Sequence, residues 1–103
     1  MSRANQLAQN FKKTGNTVSI NATTTSARVA FTSTDKPTQV AVYNSHTAII
    51  YIEFGGSSVE ATTTSLPIPP SGWLIVDARQ AGYVAAESAS GTGYIYFTPG
   101  VGA

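Results

Sequence analysis

The chain contains no cysteine and unusually little charge. The absence of cysteine excludes a disulfide framework, a thiolate nucleophile and a cysteine metal site. Only 11% of the 103 residues are charged, whereas about 25% is usual for soluble domains. The formal net charge of +1 gives no electrostatic reason to bind nucleic acid or an anionic membrane. Because charge normally keeps soluble monomers apart, so little of it indicates assembly with other subunits.

Long apolar runs are also missing. The N-terminal segment MSRANQLAQNFKK contains nothing like the apolar core of a secretory signal peptide. No segment approaches the roughly 20 apolar residues that a membrane-spanning helix needs. The sequence therefore predicts synthesis and folding in a reducing cytoplasm, with no membrane partner.

Residues that commonly carry catalysis or bind metals are scarce. His46 is the only histidine, it stands in a predicted turn, and no serine lies in a nucleophile-elbow motif. Glu53 and Asp77 each end a predicted strand and are candidates for a paired-carboxylate site of the glycosidase kind. Salt bridges to Arg28 or Arg79 are the favoured interpretation of these two acids. The sequence therefore predicts a protein that is not an enzyme and has no cofactor and no metal.

Threonine and serine supply roughly a quarter of the chain, and they favour strands and turns. From residue 17 onwards, short runs with alternating apolar residues follow one another between turn signals. This pattern predicts an all-β fold with about seven or eight short antiparallel strands. We expect a single β-sandwich or jelly-roll-like domain over residues 16–103.

The run VAVYNSHTAIIYIEF, residues 40–54, is the strongest strand signal and is predicted to be a central hairpin. Two apolar runs flank the polar break Asn44-Ser45-His46, which suits a turn. Both faces are largely apolar, so one is expected to pack on a second sheet and the other against a neighbouring protein. Residues 83–86 and 94–97 are predicted to form another hairpin. Residues 66–70 are predicted to be an extended connection between sheets, because proline cannot donate a ladder hydrogen bond.

Residues 1–15 stand apart from the strand pattern and are predicted to be an N-terminal arm. Leu7 and Phe11 are four residues apart and would share one face of a helical turn. Arg3, Lys12 and Lys13 hold half of the basic residues. A segment this short is not stable alone as a helix. The arm is therefore expected either to be a frayed end or to become ordered on a partner, where these five residues are interface candidates.

Three tyrosines are predicted to lie on outer sheet faces. Tyr51, Tyr94 and Tyr96 alternate with core-facing neighbours, and side chains alternate between faces along a strand. Tyrosine is large, rigid and amphipathic, which suits recognition. The alternative is that these rings pack under loops. Trp73 is predicted to lie in the core, although an aromatic-bearing sandwich could also bind a sugar by stacking.

A series of turn motifs runs through the part of the chain from Tyr43 to Gly100. A strand ending in Phe-Gly leads through a Thr/Ser-rich segment into a Pro-x-Pro loop with glycine, and a Gly-Thr-Gly turn feeds a last strand ending in Thr-Pro-Gly. The residues are Phe54-Gly55, Thr62–Ser65, Leu66–Gly72, Gly91–Gly93 and Thr98–Gly100. In these motifs the chain resembles small virion proteins of tailed bacteriophages. The resemblance covers more than half of the chain and leaves out the first 40 residues.

This resemblance implies a non-enzymatic β-sandwich that is made in the host bacterial cytoplasm and displayed in many copies on the virion. A capsid decoration or cement protein is the leading expectation. Its partners would be the major capsid protein or other virion proteins, with homo-oligomers on the particle. A head–tail adaptor, a tail component or a fibre base is the alternative within the virion. From another class, the alternative is a carbohydrate-binding β-sandwich module.

Overall fold

A computed structural model describes residues 11–32 and 36–102. These residues form nine strands and no helix, which confirms the all-β prediction. The strands are β1 (Lys12–Lys13), β2 (Val18–Ala22), β3 (Ala27–Ala30), β4 (Gln39–Asn44), β5 (Ile50–Gly55), β6 (Leu66–Ile68), β7 (Trp73–Asp77), β8 (Tyr83–Ser88) and β9 (Gly93–Val101). Within the described ranges, no helix is long and apolar enough to cross a membrane.

The strands form two antiparallel sheets that pack as a sandwich. The five-stranded sheet has the order β1-β9-β4-β7, and β2 pairs with β9 on the same side as β1. The four-stranded sheet has the order β3-β8-β5-β6. The strand pairing is nested: β5 pairs with β6, β4 with β7, β3 with β8, and β2 with β9. The chain therefore has the pairing of one long hairpin that is rolled up. This is jelly-roll topology, so the jelly-roll alternative in the sequence prediction is the one observed.

Two predicted hairpins are wrong. β4 lies in the five-stranded sheet and β5 in the four-stranded sheet, so residues 45–49 cross between sheets instead of turning within one. β8 and β9 are likewise in different sheets. The reason is that alternating apolar residues predict a strand with one buried face but do not predict which strand pairs with it. A crossing connection also uses the same short, polar residues as a hairpin turn.

The core lies between the sheets. Every second side chain is buried in β2 and β4, whereas β1, β3 and β7 have no fully buried side chain. Phe97, Val40 and Val42 enter it from the five-stranded sheet, and Ile50 and Ile52 enter it from the four-stranded sheet; all are at most 1% exposed. Each large apolar side chain that is fully buried stabilises the fold by about 1.5–3 kcal/mol. The run predicted to be apolar on both faces therefore meets the opposite sheet on one face only. Whether a neighbouring protein covers the other face stays a prediction.

The proline-rich residues 66–70 are partly a strand. β6 is an edge strand, a position that tolerates Pro67 because the unpaired side needs no ladder hydrogen bond. The crossing to the other sheet follows it, in a turn where the N–H of Gly72 donates to the carbonyl oxygen of Pro69 at 3.0 Å.

A buried amide fixes two of the crossings at one end of the sandwich. Asn44 is fully buried, and its Nδ2 donates to the carbonyl oxygens of Ala48 at 3.0 Å, Ile68 at 3.0 Å and Pro69 at 3.2 Å. Its Oδ1 accepts from the backbone N–H of His46 at 2.8 Å. One side chain thus holds the β4–β5 crossing against the β6–β7 crossing.

Candidate interaction face

The outer face of the five-stranded sheet carries a row of aromatic side chains. The register places Tyr96 of β9, Tyr43 of β4 and Trp73 of β7 side by side across three strands. Tyr94 follows Tyr96 on the same side of β9. Ring centroids are 6.3 Å apart for Tyr43 and Tyr96, and 6.2 Å apart for Tyr94 and Tyr96. We call this surface the aromatic face.

These four aromatic side chains are exposed even though they contact one another. Between 37% and 48% of each remains accessible. Tyr43, Trp73 and Tyr96 also line a shallow cavity of about 480 Å³, together with Ala41 and Thr98. The aromatic face therefore combines a large apolar area with phenol hydroxyl and indole N–H groups, which are able to form hydrogen bonds with a partner.

The aromatic row is framed by uncharged polar side chains. The register places Ser19 beside Tyr96 and Asn21 beside Tyr94. The hydroxyl groups of Thr17 and Thr98 are hydrogen-bonded at 2.7 Å. Among residues 11–32 and 36–102, the charged residues of this face lie at one end of the sheet. There Lys13 pairs with Gly100, Gly100 with Gln39, and Gln39 with Asp77. A partner can thus cover the aromatic row without desolvating a charge.

The outer face of the four-stranded sheet is built differently. Arg28 and Glu53 lie on either side of Ala85 in the same row, and Glu87 lies beside Tyr51 in the next row. Ala85 is fully buried although it points outward. The connection between β5 and β6 reaches the start of β3, where the backbone N–H of Ala61 donates to the Oγ of Ser26 at 2.9 Å, and Ala61 is itself only 2% exposed.

The structure brings some of the predicted interface residues together and separates others. Tyr94 and Tyr96 are adjacent, whereas Tyr51 lies on the opposite outer face. Tyr43 was not among the predicted interface residues. The prediction that Trp73 lies in the core is wrong, because Trp73 is 47% exposed. The alternation of Tyr43 with Val40 and Val42 is a usable signal, because it points the ring away from the core. Its stacking with Tyr96 depends on a register that the sequence does not reveal.

The predicted N-terminal arm is described only from Phe11 onwards, so Arg3 and Leu7 lie outside the described residues. Lys12 and Lys13 form β1, which pairs with the end of β9. A Cβ on Gly100 would lie 2.6 Å from the ring of Phe11, so the absence of a side chain there makes room for that ring. The end of the arm is thus joined to the sheet, on the same outer face as Tyr94 and Tyr96. Binding of the arm to a neighbour stays a prediction.

His46 holds two crossings together. Its Nε2 donates to the carbonyl oxygen of Ser90 at 2.7 Å, which assigns the proton to Nε2. The ring packs directly against Gly93, where a side chain would collide with it. Ser45 adds a hydrogen bond from its hydroxyl to the carbonyl oxygen of Tyr94 at 2.8 Å. The environment of His46 is therefore that of a structural residue at the junction of the β4–β5 and β8–β9 crossings.

Glu53 and Asp77 line one cavity of about 370 Å³ at the opposite end of the sandwich, as does Arg79. One carboxylate oxygen of Asp77 accepts from the backbone N–H of Arg79 at 2.9 Å. The two acids thus border the same cavity from different sheets, and Arg79 borders it as well. Within residues 11–32 and 36–102, no group of three His, Cys, Asp or Glu side chains is arranged to hold a metal ion.

No protein-family model matches this chain, and no curated protein matches its sequence. The fold is similar to that of a solved chain from the Bacillus endospore appendages, which form a novel family of disulfide-linked pili. The match covers 89% of each chain, with a TM-score of 0.53 and 11% sequence identity. At this identity the similarity concerns the fold alone. The 103 residues here contain no cysteine, so they cannot form a disulfide link of that kind.

Proposed function

We propose that this protein is a non-enzymatic structural protein of a tailed-bacteriophage virion, and that it binds neighbouring major capsid subunits as a decoration or cement protein. The observation that carries the proposal is the aromatic face, an exposed surface on one side of the sandwich whose aromatic row is framed by uncharged side chains. The resemblance of the turn motifs to small virion proteins supplies the biological setting. A head–tail adaptor, a tail component or a fibre base would use the same face on a different partner.

The composition of the aromatic face suits contact with a protein. Tyrosine and tryptophan are enriched among the residues that dominate binding energy, because they bury much area and lose little conformational freedom. A standard interface buries about 800 Å² on each partner. A sheet face four strands wide offers a surface of that order. Repetition over many copies would then strengthen the attachment of a shell, since several neighbouring contacts must break together.

The similar fold of the pilus protein also supports the proposal. Its subunits assemble into a pilus and are linked by disulfides. A subunit without cysteine that assembles in many copies would depend on non-covalent surfaces. The low charge of the present chain is consistent with that requirement, because two like-charged surfaces would repel each other.

The test is co-sedimentation of the protein with undecorated shells. Replacing both Tyr94 and Tyr96 by serine should lower binding at least tenfold. The matched control replaces Tyr51 and Tyr83 by serine, because both lie on outward positions of the other sheet. This control should bind like the wild-type protein. Equal binding by all three proteins would exclude the aromatic face as the contact surface.

A second candidate function is the binding of a neutral glycan, and the cavity beside Tyr43, Trp73 and Tyr96 favours it. Ligand sites of about 300–1,000 Å³ are commonly apolar with a few polar groups, as this cavity is. Sugars stack on aromatic rings, and hydroxyl and amide side chains satisfy their hydroxyl groups. Glycan-array binding that is lost on Trp73→Ala, with shell binding retained, would favour this function.

A further inference from the structure

Each of the two sheets has two unpaired edges, which makes four in the described residues. Three of these edges carry residues that discourage pairing with another strand. β3 carries Arg28, β6 carries Pro67, and β1 adds Lys12 and Lys13 to the side that it shares with β2. Charged residues and proline are the usual protection of sheet edges, because an unprotected edge is a template for another strand. Strand β7 is the fourth edge.

Strand β7 has no such protection. Its sequence is Trp-Leu-Ile-Val-Asp, with no lysine, arginine or proline and with its single charge at the last position. It pairs with β4 on one side only among the described residues. Trp73 is 47% exposed on the outer side and Leu74 is 41% exposed on the inner side. An edge that leaves both faces this accessible has backbone groups and apolar side chains available at once.

We infer that β7 pairs antiparallel with β7 of a second copy of this chain. The strand is self-complementary when the twofold axis passes through Ile75. Leu74 then lies opposite Val76 on the core side, and Trp73 lies opposite Asp77 on the outer side. Apolar side chains are thus paired with apolar side chains. The carboxylate of Asp77 lies opposite Trp73, whose indole N–H is a hydrogen-bond donor. Closed twofold pairing of this kind uses the same patch on both subunits.

A second copy fits this edge better than an unrelated peptide for two reasons. The first is the self-complementarity of the five residues. The second is continuity, because pairing would extend the five-stranded sheet into its copy and join the two aromatic faces into one surface, with Trp73 near the junction. This inference goes beyond the proposed function, since the dimer forms whatever the aromatic face binds.

The test is sedimentation equilibrium of the full chain over concentrations from about 10 µM to about 1 mM, because a five-residue pairing buries less than a standard interface. The wild-type protein should show a reversible dimer. Leu74→Lys places a charge at the pairing edge and should weaken the dimer at least tenfold. Leu66→Lys is the matched control, because Leu66 is 44% exposed at an inner position of the edge strand in the other sheet. The control should dimerise like the wild type.

Hydrogen exchange gives a readout that needs no variant. The amides of residues 73–77 that point away from β4 should become more protected as the protein concentration rises, while those of β3 and β6 should not. A protein that stays monomeric at the highest concentration overturns the inference. So does protection independent of concentration in β7, or equal weakening by the Leu74 and Leu66 variants. Loss of shell binding in the tyrosine variants, with the dimer intact, would separate this contact from the one in the proposed function.

Discussion

The two outer faces of this sandwich differ in how far their outward side chains are covered. On the four-stranded sheet, charged and small residues share the outward positions, the β5–β6 connection is hydrogen-bonded to the start of β3, and the outward Ala85 is fully buried. On the five-stranded sheet, rigid rings stand beside short hydroxyl and amide side chains, and the rings stay exposed. On the first face a connection of the same chain is bonded to the sheet, whereas the rings of the second face stay open to solvent. The second face therefore keeps an exposed apolar area that another molecule could cover.

The largest effect should come from the same substitution on the two faces. Ala41 lies in the aromatic face and Ala30 is an exposed outward residue of the four-stranded sheet. Ala41→Glu should weaken shell binding by a hundredfold or more, because an unpaired charge buried in an interface costs about 3–5 kcal/mol. Ala30→Glu should change binding less than threefold. Co-sedimentation at several shell concentrations measures both, and similar behaviour of the two variants would remove the distinction between the faces.

A change at Asn44 should loosen the end of the sandwich at which β4 leaves the five-stranded sheet. Asn44→Ala would remove the donor to the carbonyl oxygen of Ala48 and the acceptor of the N–H of His46, while the carbonyl oxygen of Pro69 would keep the N–H of Gly72. Buried groups left unpaired cost about 1–3 kcal/mol each, and partial access of water reduces the sum. We expect a loss of about 3 kcal/mol in the free energy of unfolding, measured by urea denaturation.

The control for this variant is Ser45→Ala, which removes one exposed hydrogen bond from the same crossing. It should cost less than about 1 kcal/mol. If Asn44→Ala also stays below that value, the buried amide does not hold the crossings.

The aromatic row should contribute less to stability than to binding. Tyr96 contacts both Tyr43 and Tyr94, and an aromatic pair is worth about 0.5–1.5 kcal/mol beyond its burial. A double-mutant cycle on Tyr43 and Tyr96 should therefore give a coupling free energy of about 0.5–1 kcal/mol. A value several times larger would mean that the row is part of the core, and the contrast between the faces would fail.

Salt should have the smallest effect. Within the described residues, the aromatic face carries charge only at the end where Lys13 and Asp77 lie. Shell binding through it should change less than threefold between about 0.1 and 1 M NaCl, although the Debye length falls from about 10 to 3 Å. A steep loss would show that the basic residues of the N-terminal segment carry the attachment.

Much of the strand pattern was predictable from the sequence, and the partners were not. Alternation placed Ile95 and Phe97 inward and Tyr94 and Tyr96 outward without knowledge of the fold. Trp73 was misplaced because a strand at the edge of a sheet can be apolar on both faces, and sequence does not distinguish an edge from a centre. Strand β1 could not be predicted, because Lys12 and Lys13 show no apolar alternation. It is a strand because it pairs with the end of β9.

The rolled-up hairpin described above has a consequence for the order of folding. The pair β5 and β6 closes a short loop, whereas β2 and β9 must meet across nearly the whole described chain. The entropy lost in closing a loop rises with its length, so the pairing should proceed from the middle of the sequence towards both ends. Tyr43 and Tyr96 then come together only after β9 has docked on β4, late in folding. A half-folded subunit therefore has no complete aromatic row to offer to another molecule.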